Sequence, residues 1–267
     1  MRTVKPWVEF NQNAANAFTK ERIIFIITAF TDQIAVVTGA SSGIGRAIAL
    51  ALAAEGATLY LIGRKRETLE AVAATARAKA ARVLISQIDL TQDAQIGQCT
   101  LDLQEQFGQV DVLVHSAGVI SLGTLEESAI HDLDSQYQAN LRAPYVLTKA
   151  LLPLLRVRPG QIVFINSSVG LTTRAAVGQF AATQHALKAI ADSLRHEVNA
   201  DGVRVLSMFP GRTATPRQAT IHRIEGKPYR PELLLQPEDI ASVVLNALSL
   251  PRTAEVTDIS IRPLIKT

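Results

Sequence analysis

The fold is decided by residues 33–54, which read QIAVVTGASSGIGRAIALALAA. The first six residues form an apolar, β-branched run that ends at Gly39, which predicts a buried strand over 33–38. Over 43–54, apolar side chains recur with the period of a helix. A strand, a glycine-rich turn and a helix in immediate succession indicate the first unit of an alternating α/β fold.

The same alternation continues along the chain. The strands that follow are apolar throughout rather than at every second residue, so both faces of the sheet must be covered. The sequence therefore predicts a single Rossmann-type, doubly wound parallel sheet of about seven strands with helices on both faces. Further strands are predicted over 57–62, 82–88, 110–114, 161–166, 203–209 and 257–262, and further helices over 65–78, 94–107, 133–155, 179–199 and 237–248.

The 267 residues fit one large domain, which we assign to 31–267, after an N-terminal appendage, 1–30, that is either one packed helix or disordered. An apolar content of 48% excludes a disordered chain, and a net charge of +3 with 5% aromatic residues gives no sign of nucleic acid binding. One cysteine, Cys99, excludes an intrachain disulfide and a cysteine metal cage, and its helical spacing predicts a buried thiol. With no apolar run of the about 20 residues that cross a membrane, we expect a soluble cytoplasmic protein without metal, membrane or nucleic acid partners.

The turn Thr38-Gly39-Ala40-Ser41-Ser42-Gly43-Ile44-Gly45 lies between the first strand and the first helix. Glycine allows a tight turn and lets backbone N–H groups approach a pyrophosphate, to which the helix N-terminus adds partial positive charge. Many glycine-rich turns are merely structural, but this one has the strand–turn–helix placement that phosphate binding needs.

The spacing Thr-Gly-x-x-x-Gly-x-Gly resembles that of the short-chain dehydrogenase/reductase (SDR) family, and other motifs agree in order over about residues 31–265. Asp89 ends the third strand, where the family meets the adenine ring, and Ala117-Gly118 end a segment that the family usually writes Asn-Asn-Ala-Gly. Asn140 and Ser167 match the active-site Asn and Ser. The resemblance implies a nicotinamide dinucleotide held by Gly39, Ser41, Ser42, Gly43, Ile44, Gly45, Arg64, Asp89, Leu90, Ala117, Gly118, Gln184, Pro210, Gly211, Thr213 and Thr215.

The end of the second predicted strand indicates which dinucleotide binds. An acidic residue there would accept hydrogen bonds from a ribose 2′-OH and repel a 2′-phosphate. Here the sequence is Gly63-Arg64-Lys65-Arg66, and three cations without an acid favour the 2′-phosphate of NADP. The alternative is a solvated helix start whose cations pair with Glu67 and Glu70.

The chain departs from the resembled family at the reacting centre. The family carries Tyr thirteen residues after the active-site Ser and Lys four residues later, whereas this chain has Phe180 and Gln184 at those positions. Phe keeps the ring but loses the proton for the substrate oxygen, and Gln loses the charge that lowers the pKa of the Tyr, although its amide can still reach ribose hydroxyls. Cofactor binding can therefore survive while the proton step is weakened, typically by about 10²–10⁴-fold.

Other side chains could replace the missing proton donor. Lys188 is about 12 Å along the helix axis from Phe180, and His185 points about 140° away from it, so neither is expected to take part. His115, at a strand end beside the cleft, is the better candidate, although a structural hydrogen bond in place of the family's Asn is its more frequent role.

The segment 212–235 is a long connection of the kind that often forms a lid. Its charges fit either an anionic substrate or a solvated basic surface that partly serves NADP phosphates. They come from Arg212, Arg217, Arg223, Lys227 and Arg230, against Glu225 and Glu232.

Three functions remain open at this point. The first is an NADP-dependent carbonyl reductase or alcohol dehydrogenase of small molecules with an altered, slow proton step. The second is a non-catalytic NADP-binding sensor or scaffold, and the third is an enzyme of this fold without hydride transfer. The resemblance also implies a homodimer or homotetramer that packs through the helices over 133–155 and 179–199.

Overall fold

The computed structural model describes residues 30–265. Seven strands form one sheet in which every neighbouring pair is parallel. The strands are β1 (Ile34–Thr38), β2 (Thr58–Gly63), β3 (Val83–Gln87), β4 (Val112–His115), β5 (Gln161–Ile165), β6 (Arg204–Pro210) and β7 (Asp258–Ile261). The helices are α1 (Gly43–Ala54), α2 (Arg66–Ala76), α3 (Asp93–Gln106), α4 (Ile130–Tyr137), α5 (Ala143–Val157), α6 (Gly178–Val198), α7 (Pro216–Ile224) and α8 (Pro237–Leu248).

The strand order is β3-β2-β1-β4-β5-β6-β7. The chain winds outward from β1 to β3, returns to the other side of β1, and then winds outward to β7. The direction therefore switches between β1 and β4, and the segments that follow these two strands diverge there to leave a crevice, which is where ligands bind in open α/β sheets. The predicted doubly wound sheet is confirmed.

Two apolar layers cover the faces of the sheet. One layer packs α1, α2 and α8 against it, with Ile48, Leu69 and Val244 fully buried. The other packs α3, α5 and α6, and Cys99 of α3 is buried there as a free thiol, as its helical spacing predicted. Burial on both faces explains why the strands are apolar at every position.

Phe30, the last residue of the predicted appendage, packs into the core of the domain. Its side chain is 1% exposed and lies in the apolar layer beside α1 and α2. Its burial could not be read from local periodicity, because the side chain stands alone before β1. The remainder of the appendage, 1–29, lies outside the described residues.

Two further segments differ from the prediction. The single helix expected over 133–155 is α4 and α5 joined by a π-helical turn, Gln138–Arg142. The predicted connection over 212–235 contains α7, which Thr215 caps by accepting a hydrogen bond from the backbone N–H of Gln218 at 3.2 Å. Proline at the first helical position supports this start, a signal that was present in the sequence.

Candidate active site

A cleft of about 420 Å³ opens above the carboxyl ends of the central strands. It brings together the glycine turn after β1, the loop after β4, the π turn, the first part of α6 and the segment after β6. Of the residues predicted from the sequence, the cleft is lined by Gly39, Ser41, Ser42, Gly43, Ile44, Arg64, Asp89, Leu90, Ala117, Gly118, Asn140, Ser167, Phe180, Gln184, Pro210, Gly211, Thr213 and Thr215.

Gly45 is the one predicted binding residue that does not line the cleft. It is buried, and a Cβ built on it would lie 2.5 Å from the carbonyl oxygen of Gly39. Its role is therefore to let α1 approach the end of β1 closely. Gly39 and Gly43 differ from it, since both have left-handed backbones, with φ of 64° and 54°, where a side chain is strained.

Thr38 ties the two sides of the crevice together. Its hydroxyl accepts hydrogen bonds from the backbone N–H groups of Ser116 at 3.0 Å and Ala117 at 3.1 Å, and donates to the carbonyl of Val114 at 3.3 Å. A Cβ on Gly39 would lie 2.8 Å from the nitrogen of Ala117, so the two loops touch. The structure adds Thr38 to the site as a positioning residue.

Asn140 lies in the π turn, and its side chain is fully engaged by the loop after β4 and by α6. Its Oδ1 accepts from the N–H of Val119 at 2.7 Å, and its Nδ2 donates to the carbonyl of Val119 at 2.9 Å and to the hydroxyl of Thr183 at 3.2 Å. A Cβ on Gly118 would lie 2.9 Å from Asn140 Oδ1. Asn140 is thus a positioning residue for residues 117–120, which form one wall of the cleft.

The opposite wall is formed by Ser167 and the first turns of α6. Ser167 accepts a long hydrogen bond from the N–H of Val169 at 3.4 Å, which leaves its hydroxyl hydrogen available toward the cleft. Phe180 is half-buried and presents a ring without a hydroxyl. Gln184, 4% exposed, lies one turn further along α6 and its Nε2 donates to Thr183 Oγ1 at 3.4 Å.

His115 lines the cleft, as predicted, but its ring is held by structural contacts. It is buried, stacks on Phe164 with 4.9 Å between ring centroids, and its Nε2 lies 2.8 Å from the hydroxyl of Thr148. Burial without a compensating charge lowers the pKa of His115 to about 3, so the imidazole is neutral at physiological pH. The expected structural hydrogen bond is confirmed.

The two remaining candidates, both on α6, do not line the cleft. Lys188 forms an ion pair with Asp192 at 2.6 Å. His185 is exposed, and its Nδ1 lies 2.9 Å from the carbonyl of Ala181 on its own helix. Among the residues of 30–265 that line the cleft there is no tyrosine, cysteine or lysine.

Arg64 stands at the end of β2 with its side chain exposed at the rim of the cleft. The alternative, a solvated helix start whose cations pair with local acids, holds for Arg66, which pairs with Glu70 at 3.6 Å, whereas within the described residues Arg64 has no ion pair. Nearby, hydrogen bonds from the backbone and side chain of Thr91, with a contribution from the charge of Arg64, lower the pKa of Asp89.

The basic segment over 212–235 is partly neutralised by one carboxylate. Glu225, at the end of α7, pairs with Arg212 at 2.6 Å, Arg174 at 2.9 Å and Lys227 at 3.4 Å. Burial alone would raise the pKa of Glu225, but hydrogen bonds from Arg212 and Arg174 outweigh it and lower the pKa to about 2. Arg174, which precedes α6 and lines the cleft, had no sequence signal beyond its charge.

Among residues 30–265, no cluster of three or more His, Cys, Asp or Glu side chains could hold a metal ion. No helix in that part of the chain has the length and apolarity needed to cross a membrane.

Comparison with known proteins identifies the family. The short chain dehydrogenase family model matches residues 33–225. An uncharacterized oxidoreductase of Staphylococcus aureus (strain MRSA252) is 33% identical over 239 residues, which are 89% of this chain and 100% of the relative. One from Staphylococcus saprophyticus is 32% identical and covers 87% of this chain and 98% of its own.

Solved structures agree with this assignment. The alcohol dehydrogenase from the archaeon Thermococcus sibiricus, complexed with 5-hydroxy-NADP, superposes with a TM-score of 0.81 at 29% identity, over 88% of this chain and 98% of that one. A metagenomic short-chain oxidoreductase in complex with NADP gives 0.77 at 29% identity, over 89% and 100%. With the glycine turn, the strand order and the cleft in place, the chain belongs to the short-chain dehydrogenase/reductase family of oxidoreductases.

Proposed function

We propose that this protein is an NADP(H)-dependent oxidoreductase of small carbonyl or alcohol substrates, with an atypical active site and weak or altered catalysis. The observation that carries the proposal is the cleft at the switch point between β1 and β4, which combines a phosphate-binding turn with Arg64 and contains no phenol. The related structures from Thermococcus sibiricus and from the metagenomic source hold NADP-type ligands in the same fold.

The residues present fit the dinucleotide. Gly39 and Gly43 have the left-handed backbones that bring the turn close to a ligand, and Ser42 caps α1 without a side-chain bond to its first turn. The N-terminal N–H groups of α1 are therefore not occupied by the cap and suit a pyrophosphate. When bound, NADPH supplies the hydride for the substrate carbon.

Arg64 supports NADP over NAD. Its guanidinium is exposed at the end of β2, where an acid would be needed to bind the ribose 2′-OH. A planar guanidinium can hold a 2′-phosphate by two parallel hydrogen bonds. Because no carboxylate among the described residues pairs with Arg64, the full charge is available for that contact.

The proton step is the atypical part of the proposal. We infer that Phe180 and Gln184 stand where the family has its Tyr and Lys. Ser167 can orient a substrate carbonyl by donating a hydrogen bond, but a serine hydroxyl is a poor acid at neutral pH. The proton must then come from water, which removes the about 10²–10⁴-fold contribution of a positioned acid.

The same observation favours a second candidate, a non-catalytic NADP-binding sensor or scaffold. His115 is held neutral by burial, so the cleft offers no evident substitute acid near neutral pH. A protein that kept the dinucleotide site without selection for turnover would have such a cleft, with binding residues present and a proton donor absent.

Binding and turnover measured on one preparation separate the candidates. By calorimetry, NADPH should bind at least tenfold more tightly than NADH, about 1.4 kcal/mol. Arg64→Asp should reverse or abolish that preference, whereas Arg77→Asp, at an exposed position directly after α2, should keep it. Equal affinities of the wild type for NADPH and NADH would refute the NADP assignment. NADPH oxidation over a panel of ketones and aldehydes supports the enzyme, and tight binding without oxidation of NADPH supports the sensor.

We also propose a homodimer or homotetramer that packs through α4, α5 and α6. Leu133, Tyr137 and Tyr145 on α4 and α5 are 38%, 46% and 51% exposed, and covering this apolar surface would favour association. Light scattering at micromolar concentration should give two or four times the 28.8 kDa chain mass. A monomer would contradict the proposal.

The buried free thiol of Cys99 suits the reducing cytoplasm, which we propose as the compartment of this protein.

A further inference from the structure

The helix of the lid, α7, lies against the glycine turn. A Cβ built on Gly43 would lie 3.1 Å from Cγ2 of Thr215, the residue that caps α7. The first turn of α7 therefore covers the N-terminus of α1, where a pyrophosphate is expected. A side chain that extends from the first turn of α7 into the cleft therefore lies near the N-terminus of α1.

Arg217 is that side chain. It lines the cleft, and its guanidinium donates a hydrogen bond of 2.5 Å to the carbonyl of Gly118, 99 residues away in the loop after β4. Within the described residues this is the one hydrogen bond of its side chain. Arg217 thus spans the crevice from α7 on one side to the β4 loop on the other.

The charge of Arg217 is not neutralised by the protein. Glu225 pairs with Arg212, Arg174 and Lys227, but no carboxylate among residues 30–265 pairs with Arg217 or with Arg64. Arg217 is exposed to solvent in the open cleft, and the neighbouring protein desolvates its guanidinium in part. This desolvation, together with the positive charge of Arg64, lowers the pKa of Arg217. Because Arg217 and Arg64 both line the cleft without a carboxylate partner among the described residues, the cleft favours the binding of an anionic ligand.

We propose that Arg217 is a ligand of the dinucleotide's diphosphate, supplied by the lid, and that it exchanges the Gly118 carbonyl for phosphate oxygens when the dinucleotide binds. The proposal rests on the dinucleotide binding proposed above. The diphosphate is favoured over the 2′-phosphate because Arg217 is anchored at the glycine turn and the β4 loop, on either side of the switch point. Arg64 lies one strand further out, at the end of β2. Arg217 then binds the diphosphate and Arg64 the 2′-phosphate of the same ligand.

Two fragments of the ligand test this division. ADP carries the diphosphate without a 2′-phosphate, and 2′-AMP carries the 2′-phosphate without a diphosphate. In calorimetry with the full chain, Arg217→Gln should weaken ADP, NADPH and NADH by about tenfold or more. It should leave 2′-AMP within twofold and the NADPH-to-NADH ratio unchanged. Arg64→Gln should do the reverse, weakening 2′-AMP and lowering the ratio.

Arg223→Gln is the matched control, because Arg223 is an exposed arginine on the same helix that does not line the cleft. It removes the same charge and should change no affinity by more than twofold. ADP affinity unchanged by Arg217→Gln, or an equal loss for ADP and 2′-AMP, would overturn the assignment to the diphosphate. If the wild type binds neither NADPH nor NADH, the proposed function fails, and this inference fails with it.

Discussion

Replacing Phe180 by Tyr and Gln184 by Lys in the same chain should raise turnover by far more than the product of the two single changes. The two positions are one turn apart on α6 and both face the cleft. A helix places residues four apart about 6 Å along its axis and about 40° around it. An ammonium at position 184 can therefore approach a phenol oxygen at position 180.

The size of the coupling follows from that distance. At about 5 Å and an effective dielectric constant of about 20, a unit charge stabilises a phenolate by about 3 kcal/mol, which lowers the phenol pKa from about 10 to about 8. Phe180→Tyr alone restores a weak acid, so we expect a gain of about tenfold at most. The double variant restores a tuned acid, and we expect about 10²–10³-fold.

Gln184→Lys alone should give no gain. Gln184 is 4% exposed, and a cation placed there without a nearby anion is desolvated, which lowers the melting temperature or shifts the lysine to its neutral form. The matched control is Phe180→Tyr with Gln184→Met, which has a similar length and no charge and should behave like Phe180→Tyr alone. Groups that act as a unit are not additive.

The assay is NADPH oxidation by the wild type, both single variants, the double variant and the control over one panel of carbonyl substrates. Calorimetry of NADPH binding and thermal melts of each variant show that site and fold survive. A wild type that already turns over at about 1–10³ s⁻¹ would refute the reasoning, because Phe180 would not then limit the reaction. A double variant that binds NADPH but stays silent on every substrate would favour the sensor or scaffold.

Three further predictions concern the fold and the site. Phe30→Ala should lower the free energy of unfolding by about 3–5 kcal/mol. A chain that begins at Thr31 should likewise be less stable than one that begins at Phe30. Equal denaturant midpoints for the chains with and without the Phe30 side chain would show that it contributes nothing to stability. Gly45→Ala should abolish dinucleotide binding or folding, whereas Gly97→Ala, on an exposed helix position with open space around it, should be neutral or stabilising by about 0.5–1 kcal/mol. Burial holds the pKa of His115 at about 3 in the folded state, whereas in the unfolded state the imidazole takes up a proton as the pH falls through about 6.5. Because the unfolded state then binds more protons, the free energy of unfolding should drop by up to about 1.4 kcal/mol per pH unit toward pH 3. His115→Asn should remove that part of the slope in denaturant melts at each pH, and an unchanged slope would contradict the neutral, buried imidazole.

Local sequence patterns were sufficient for the fold class and for most of the cleft. The strand, glycine turn and helix over 33–54 are encoded by adjacent residues, since backbone conformation, helical period and apolar runs are short-range properties. The same holds for the spacing of Ser167, Phe180 and Gln184 and for Arg64 at the end of β2, because parallel strands bring their carboxyl ends to one edge of the sheet.

Local patterns also left some features of single elements undetected. Thr215 followed by Pro216 is a helix start that was available in the sequence, and α7 follows it. The π turn around Asn140 had no local sequence signal, and the bonds of the Asn140 side chain to Val119 join it to a loop distant in sequence.

Only the tertiary structure decided the protonation, burial and bonding partners of individual side chains. His115 is neutral because Phe164 and Thr148 enclose it, Phe30 belongs to the core although it precedes β1, and Arg217 reaches a carbonyl 99 residues away. Periodicity and motif spacing describe the backbone within about one element. Burial, desolvation and hydrogen-bond pairing depend on atoms that are far apart along the chain and meet only when the sheet and its two helical layers have assembled.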